Sequence, residues 1–166
     1  AIAKLADFAE AQKDQPTLIR AMRFLPDEFH LCLVGDGERR EEYEGLIAAL
    51  GLQNRVHLLG LRSDVPEVLA ASDYVVMCSH FEGLSLSSLE GMASGKPFLA
   101  DDVDGLREIV ADHGVLFGHE DAQGFADAIK QLEADTTYRQ EVARKCQAKA
   151  MQYDIAKTVE QYLEVY

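Results

Sequence analysis

The length, composition and charge of the chain exclude several classes of protein. Its 166 residues suit one domain with a substantial core, and 48% hydrophobic residues is typical of a soluble globular protein. The net charge of −13 argues against nucleic acid or an anionic membrane as a partner. No apolar run reaches the length of a membrane span, and three widely spaced cysteines indicate neither a disulfide framework nor a metal site. We therefore expect a single, reduced, cytoplasmic domain over residues 1–166.

Strand and helix patterns alternate along the chain. Apolar, β-rich runs predict strands at residues 1–8, 29–34, 56–60, 74–78, 98–100 and 114–117. Amphipathic patterns predict one helix after residue 85 and others at residues 15–25, 39–50, 64–71, 121–132, 138–151 and 153–166. Such alternation predicts an α/β fold with a doubly wound, Rossmann-like parallel sheet of about six strands.

The stretch from His80 to Ala93 carries the clearest signs of a binding site. A buried strand that ends at Cys78 is followed by a glycine turn and then by the helical spacing of Leu86, Leu89 and Met92. In parallel sheets such a turn lies at the carboxyl edge, where ligands bind. The helix would present free N–H groups there, with the positive end of its dipole behind them. A phosphate or pyrophosphate is therefore the expected ligand.

Two glutamates bracket this turn. Glu82 precedes the helix and Glu90 lies two turns into it, so both can face a ligand at the helix start. The backbone N–H groups of Gly83, Leu84 and Ser85 are the donors expected to bind phosphate. Carboxylates repel phosphate but accept hydrogen bonds, so we expect Glu82 and Glu90 to bind hydroxyl groups of a sugar or a ribose.

The segment 82–97 resembles the signature of a known enzyme family. Residues 82–84 (E-G-L), 90–93 (E-G-M-A) and 95–97 (G-K-P) are similar to the E-G-(F/L)-x4-5-E-A-M-A-x-G-x-P pattern of retaining glycosyltransferases of the GT-B type, the family 4 or glycosyl transferases group 1 enzymes. The resemblance extends over essentially the whole chain, but only to the C-terminal, nucleotide-sugar-binding half of that fold. The chain begins at Ala1 without an initiator methionine, and we interpret it as a fragment that lacks the N-terminal acceptor domain.

The resemblance implies a role for each residue around the turn. Glu90 would bind the ribose hydroxyls, and Glu82 a hydroxyl of the donor sugar. Lys13 and the amides of residues 83–85 would hold the diphosphate. Glu82 and Lys13 are the implied catalytic residues, since stabilising the departing diphosphate is the main catalytic effect available to this half. The family's arginine is missing and Asp7 stands closest to its place, so phosphate affinity is weakened or a different group reaches in.

Two more positions lie near the implied donor. Family members place the nucleobase against the backbone after the third strand, which corresponds to Leu61 and Arg62 here, and the identity of the base stays open. His80 lies beside the turn and could act as an acid or base, but a loop histidine with no special role is the favoured interpretation.

Several aspartates invite a metal-binding interpretation. Asp102 and Asp104 resemble the Asp-x-Asp metal site of the other glycosyltransferase fold, but no second set of ligands accompanies them. We interpret the aspartates of residues 101–104 as turn formers and helix caps, and we also expect Asp64 and Asp121 to cap helices. Because enzymes of the GT-B type hold the diphosphate without a metal, the resemblance implies no metal and no cofactor.

The expected function is that of a glycosyltransferase donor domain. Together with its N-terminal domain, the full-length protein would transfer a hexosyl group from a UDP- or GDP-sugar to a glycan or other acceptor, in polysaccharide or glycoconjugate synthesis. Peripheral association with the inner face of a membrane is a hypothesis for that full-length protein alone. Three alternatives stay open: a noncatalytic nucleotide or sugar-phosphate binding module, a sugar-nucleotide epimerase of the same fold, and an interaction domain with a vestigial site. The missing arginine favours the first, and the Glu-x7-Glu spacing argues against the second.

Overall fold

Six parallel strands form one sheet in the computed structural model, which describes residues 2–5, 13–80 and 86–153. The strand order is β3-β2-β1-β4-β5-β6. The strands are β1 (Ile2–Leu5), β2 (Leu31–Val34), β3 (Val56–Gly60), β4 (Tyr74–Met77), β5 (Phe98–Asp101) and β6 (Val115–Phe117). The predicted doubly wound, six-stranded parallel sheet is confirmed.

Seven α-helices in the described part of the chain connect and cover these strands. They are α1 (Gln15–Ala21), α2 (Arg40–Ala49), α3 (Val65–Ala71), α4 (Leu86–Ala93), α5 (Leu106–Val110), α6 (Ala122–Ala134) and α7 (Thr136–Met151). Helix α1 packs against α2 and α6, whereas α4 packs against α7. The helix predicted over residues 15–25 is shorter than expected, because the chain tightens into a 3-10 turn over Met22–Phe24. Residues 154–166 of the last predicted helix lie outside the described residues.

The strand order places the ligand-binding edge of the sheet. The chain runs outward from β1 through β2 to β3, returns to the centre at β4, and then continues outward to β6 on the other side. The direction of winding therefore reverses between β1 and β4. In open parallel sheets the loops diverge at such a point and leave a crevice at the carboxyl ends of the strands. Lys13 and Ser79, which pair through an isolated bridge, flank this crevice.

The central strands β4 and β5 are buried over their whole length. The ring of Phe98 fills the space beneath helix α4, where a Cβ added at Gly91 would lie 2.7 Å from ring carbon Cε2 and 3.0 Å from Cγ1 of Val75. The resembled signature has alanine at this position. Gly91 therefore allows the helix that carries Glu90 to approach the sheet closely.

The side-chain caps expected for α3 and α5 are wrong. Asp64 immediately precedes α3, but its carboxylate accepts a hydrogen bond from Arg62 Nε at 2.7 Å instead of binding the helix N–H groups. Helix α5 follows Gly105 without a side-chain cap, and Asp102 and Asp104 both pair with Arg107. In each case a nearby guanidinium competes for the carboxylate with a stronger, charge-assisted hydrogen bond.

The expected cap at Asp121 is confirmed, whereas the expected turn former at Asp101 is wrong. Asp121 does cap its helix and accepts the N–H of Gly124 at 2.8 Å. Asp101 is not a turn former, because it is the last residue of β5 and is fully buried. Its carboxylate accepts the backbone N–H of Ser79 at 3.0 Å, which fixes the end of β4 against the end of β5.

Candidate functional site

Lys13 lies at the crevice between β1 and β4. It forms an isolated antiparallel bridge with Ser79, and the neighbouring Asp14 N–H donates to the carbonyl of Cys78 at 3.1 Å. Asp14 also caps α1 by accepting the N–H of Thr17 at 3.2 Å. The segment entering α1 is thus fixed to the end of β4, so the lysine is held beside the start of the predicted phosphate-binding turn.

A second feature is the groove between α3 and α4, which encloses a cavity of about 360 Å³. Its lining consists of Val65, Pro66, Leu69, Ala70, Glu90, Ala93 and Ser94. Glu90 is exposed and is the one charged side chain among these residues. A carboxylate on an apolar wall can accept hydrogen bonds from the hydroxyls of a ligand whose remaining surface contacts the wall.

The loop after β3 leads directly into this groove. Leu61 is 83% exposed, and Arg62 is exposed beside it. Arg62 forms an ion pair with Asp64, and this hydrogen bond holds the pKa of the Asp64 carboxyl below its usual value. The pair orders the loop immediately before helix α3, which forms one wall of the groove.

Arg39 is a candidate functional residue that the sequence interpretation missed. It follows β2 at the same edge of the sheet, and its Nη1 lies 3.5 Å from the carbonyl of Lys13. Its Nε and Nη2 both donate to the carboxylate of Glu42 at 2.8 Å, which raises the pKa of Arg39 and lowers that of Glu42. The sequence signal is the Gly35-Asp36-Gly37 turn, which follows β2 at the ligand-binding edge of the sheet.

His80 is not an isolated loop histidine. Its Nδ1 lies 3.3 Å from Nε2 of His119, and the two rings pack edge to face with centroids 5.1 Å apart. His119 follows β6, so the contact joins the ends of two strands that are not neighbours in the sheet. An acid or base role of His80 stays a hypothesis.

Comparison with known proteins decides the family. The family model described as Glycosyl transferases group 1 matches residues 6–151. The chain belongs to the glycosyl transferases group 1 family.

The curated relatives of this group 1 domain are longer proteins. The lipopolysaccharide core biosynthesis glycosyltransferase LpsE of Rhizobium meliloti is 37% identical over 131 residues, which are 78% of this chain and 38% of the relative. The N-acetyl-alpha-D-glucosaminyl L-malate synthase of Bacillus anthracis is 34% identical over 82% of this chain and 36% of its own length. The chain thus spans less than half the length of these relatives.

Solved structures agree with the group 1 assignment. Anabaena HepE in complex with UDP-glucose matches with a TM-score of 0.88 and 30% identity, over 99% of this chain and 49% of that protein. The C-terminal domain of the group 1 glycosyltransferase LpcC from Francisella tularensis shares the fold, with a TM-score of 0.81 and 23% identity over 93% of this chain and 86% of that domain. The fold is that of the C-terminal domain of a GT-B glycosyltransferase.

The group 1 domain brings together part of the predicted site. Lys13 flanks the crevice, Glu90 lines the groove, and Leu61 and Arg62 lie in the loop before it. Asp7, Glu82, Gly83, Leu84 and Ser85 lie outside the described residues, so their roles stay predictions. None of the helices that the structure describes combines the length and the apolar composition required to cross a membrane.

Proposed function

We propose that this group 1 domain binds the nucleotide-sugar donor of a retaining glycosyltransferase, with a UDP-sugar as the donor. The observation that carries the proposal is the position of Glu90, the one charged side chain among the described residues that line the groove next to the reversal of the sheet. The presence of UDP-glucose in the structure of Anabaena HepE, which is 30% identical, supports the choice of donor.

The groove between α3 and α4 receives the nucleoside. Glu90 accepts hydrogen bonds from the ribose hydroxyls, which are the donors that an exposed carboxylate can bind without charge repulsion. The apolar residues of α3 cover the remaining surface of the nucleoside. The backbone of Leu61 and Arg62, at the entrance to α3, contacts the base.

The diphosphate lies at the crevice between β1 and β4. Lys13 and the amides of Gly83, Leu84 and Ser85 hold it, and Glu82 binds a hydroxyl of the donor sugar. Arg39 supplies the positive charge that Asp7 cannot, because its guanidinium reaches the backbone of Lys13. Its ion pair with Glu42 is solvent-exposed, so exchanging that partner for a phosphate costs little. This arrangement requires no metal at the diphosphate, because Lys13, Arg39 and the amides of residues 83–85 offset its negative charge.

The chemistry supplied by this domain is stabilisation of the leaving group. As the bond between sugar and diphosphate breaks, negative charge accumulates on the phosphate oxygens, where Lys13, Arg39 and the amides of residues 83–85 stabilise it. The acceptor binds to an N-terminal domain of the same cytoplasmic protein, which acts in polysaccharide or glycoconjugate synthesis. The 166-residue chain alone transfers nothing, because the active site lies between the two domains.

A panel of nucleotides tests the proposal. Thermal unfolding of the chain is measured with UDP, GDP, ADP and dTDP, and we expect the largest rise in midpoint with UDP. A ligand at about 100 times its dissociation constant stabilises the folded state by roughly 2.7 kcal/mol. Preference for another nucleotide would contradict the choice of donor, and no stabilisation by any nucleotide, in this chain or in the longer protein, would contradict the binding function.

A noncatalytic nucleotide-binding module is the second candidate, favoured by Asp7 in the place of the family's arginine. The two candidates differ in turnover and not in binding. Hydrolysis or transfer of the sugar from UDP-glucose by the longer protein, lost on substitution of Lys13, supports the enzyme. Binding of UDP without release of UDP from UDP-glucose supports the module.

A further inference from the structure

Three side chains with metal-binding atoms meet at the carboxyl edge of the sheet. Nδ1 of His80 lies 3.3 Å from Nε2 of His119 and 3.4 Å from Oε1 of Glu120, and the last two atoms are 3.9 Å apart. His80 follows β4, whereas His119 and Glu120 follow β6. Two imidazoles and a carboxylate therefore converge from two separate loops.

A fourth residue, Asp101, determines which ring nitrogen of His119 carries the proton. Asp101 is fully buried, and its Oδ2 lies 3.1 Å from Nδ1 of His119. Because a carboxylate only accepts, the proton of His119 resides on Nδ1, and Nε2 presents its lone pair to the cluster. Oδ1 of Asp101 is held by the N–H of Ser79 at 3.0 Å, so the orienting carboxylate is itself anchored. This is the arrangement in which a histidine ligand of a metal donates its other N–H to a carboxylate.

The spacing of the three atoms suits a small tetrahedral ion. Zinc–nitrogen bonds of about 2.0–2.1 Å in a tetrahedral site place neighbouring ligand atoms about 3.3 Å apart. Two of the three separations, 3.3 and 3.4 Å, match this value, and the 3.9 Å separation needs a small rotation of the exposed Glu120 side chain. Imidazole ligands select zinc and similar transition metals over magnesium or calcium.

The charges around the cluster permit a cation. A neighbouring cavity of about 410 Å³ is shared by His80 and Glu120 and also carries Asp14, Arg20, Arg39 and Glu42. In the absence of nucleotide, the positive charge of Arg39 is offset by its paired hydrogen bonds with Glu42. Asp14 and Glu120 contribute negative charge on the same wall, and Asp101 adds a buried carboxylate behind His119.

We infer that His80, His119 and Glu120 bind one divalent transition-metal ion of the zinc class, with Asp101 as the residue that orients His119. Three protein ligands leave a fourth position for water. The ion ties the end of β4 to the loop after β6, and it lies immediately before residues 81–85. The site is separate from the nucleotide groove, because none of its three ligands is among the described residues that line the cavity between α3 and α4.

Cobalt is the probe that tests this inference, because tetrahedral Co²⁺ absorbs strongly in the visible range and octahedral Co²⁺ does not. The tag-free chain is titrated with Co²⁺ without nucleotide, and then with Zn²⁺ to displace it, with heat release measured in parallel. We expect one ion per chain and a tetrahedral spectrum that Zn²⁺ abolishes. His80→Ala and His119→Ala should each remove the spectrum, while thermal unfolding confirms that these exposed substitutions leave the fold intact.

The pair His30 and His57 provides a matched control. Its ring nitrogens lie 3.0 Å apart, yet it forms no group of three potential ligands among the described residues. His30→Ala should leave the spectrum unchanged, and Asp101→Asn should weaken binding by about 10–100-fold, as expected for a residue that orients a ligand. An octahedral or absent spectrum, or equal loss in His30→Ala and His119→Ala, would overturn the inference.

Discussion

Lys13 and Ser79 pair through an isolated antiparallel bridge that joins the segment entering α1 to the end of β4. The bridge spans the point where the direction of winding reverses. It holds a lysine beside the turn that the sequence predicts to bind phosphate. The diphosphate of a nucleotide is therefore expected to depend on a contact that the fold, and not the local sequence, creates.

Lys13→Met tests this contact. A charged hydrogen bond contributes about 1.5–3 kcal/mol, so we expect the dissociation constant for UDP to rise about 10–100-fold while that for uridine stays unchanged. Calorimetric titration measures both. Lys96→Met is the matched control, because Lys96 precedes β5 at the opposite edge of the sheet. Equal weakening of UDP and uridine would show that Lys13 supports the fold instead of the diphosphate.

Arg39→Gln tests the group proposed to replace the family's arginine. Loss of its charge near the diphosphate should weaken UDP by about 10-fold or more, again without an effect on uridine. Arg40→Gln is the control, since Arg40 pairs with Glu44 and Asp36 and donates to the carbonyl of Leu58, whereas the carbonyl of Lys13 is contacted by Arg39. If both variants weaken UDP equally, a general loss of positive charge explains the effect and the specific role of Arg39 is wrong.

The sequence predicted the elements well because they depend on local patterns. Buried strands such as Tyr74–Met77 appear in the sequence as apolar runs. The helical spacing of apolar residues after residue 85 correctly predicts that Glu90 lies on a helix. The contact of Arg39 with Lys13 was not predictable in this way, because it joins residues brought together only by the pairing of β1 with β2. The contact of His119 with Asp101 is not predictable from local patterns either, because the sequence predicts a turn residue at Asp101.

Competition among side chains explains the errors in capping. Asp64 has the expected position before α3. Capping preferences do not predict, however, that its carboxylate binds Arg62, two residues earlier, instead of the helix N–H groups. Asp102 and Asp104 likewise pair with Arg107 and do not cap α5. Local sequence patterns predict the position of a capping residue. Whether its carboxylate binds the helix N–H groups depends on whether a guanidinium lies nearby.

Gly91→Ala should destabilise the domain although alanine is the better helix former. The added Cβ would lie 2.7 Å from the ring of Phe98, which is fully buried, and overpacking of a core costs about 1–3 kcal/mol. Urea unfolding measures the loss. The double variant Gly91→Ala with Phe98→Leu should be less destabilised than the sum of the single variants, since leucine removes the ring that clashes. Strict additivity would contradict this explanation.

Tyr74 should make the domain less stable at high pH. Burial, together with a hydrogen bond to Glu133, raises the pKa of Tyr74 from its ordinary value of 10 to about 12. Between these values the unfolded chain has lost the proton and the folded chain retains it. The free energy of unfolding therefore falls as pH rises, by at most about 1.4 kcal/mol per pH unit from this group.

Comparison with Tyr74→Phe isolates that contribution. Urea unfolding of both proteins from pH 9 to pH 12 should show the wild type losing stability relative to the variant above pH 10. The pKa of the buried Cys146 thiol is also raised, to about 11, but this residue is present in both proteins and cancels in the difference. Parallel curves over the whole range would contradict the raised pKa of Tyr74.

Binding of UDP to Glu90→Ala tests the central claim most directly. Glu67→Ala is the matched control, because Glu67 is an exposed glutamate on α3 that does not line the groove. If Glu90 binds the ribose hydroxyls, its removal raises the dissociation constant for UDP about 10–100-fold in a calorimetric titration, and the control leaves it unchanged. Unchanged affinity in Glu90→Ala, or equal weakening in both variants, would contradict the assignment of the groove as the nucleotide site.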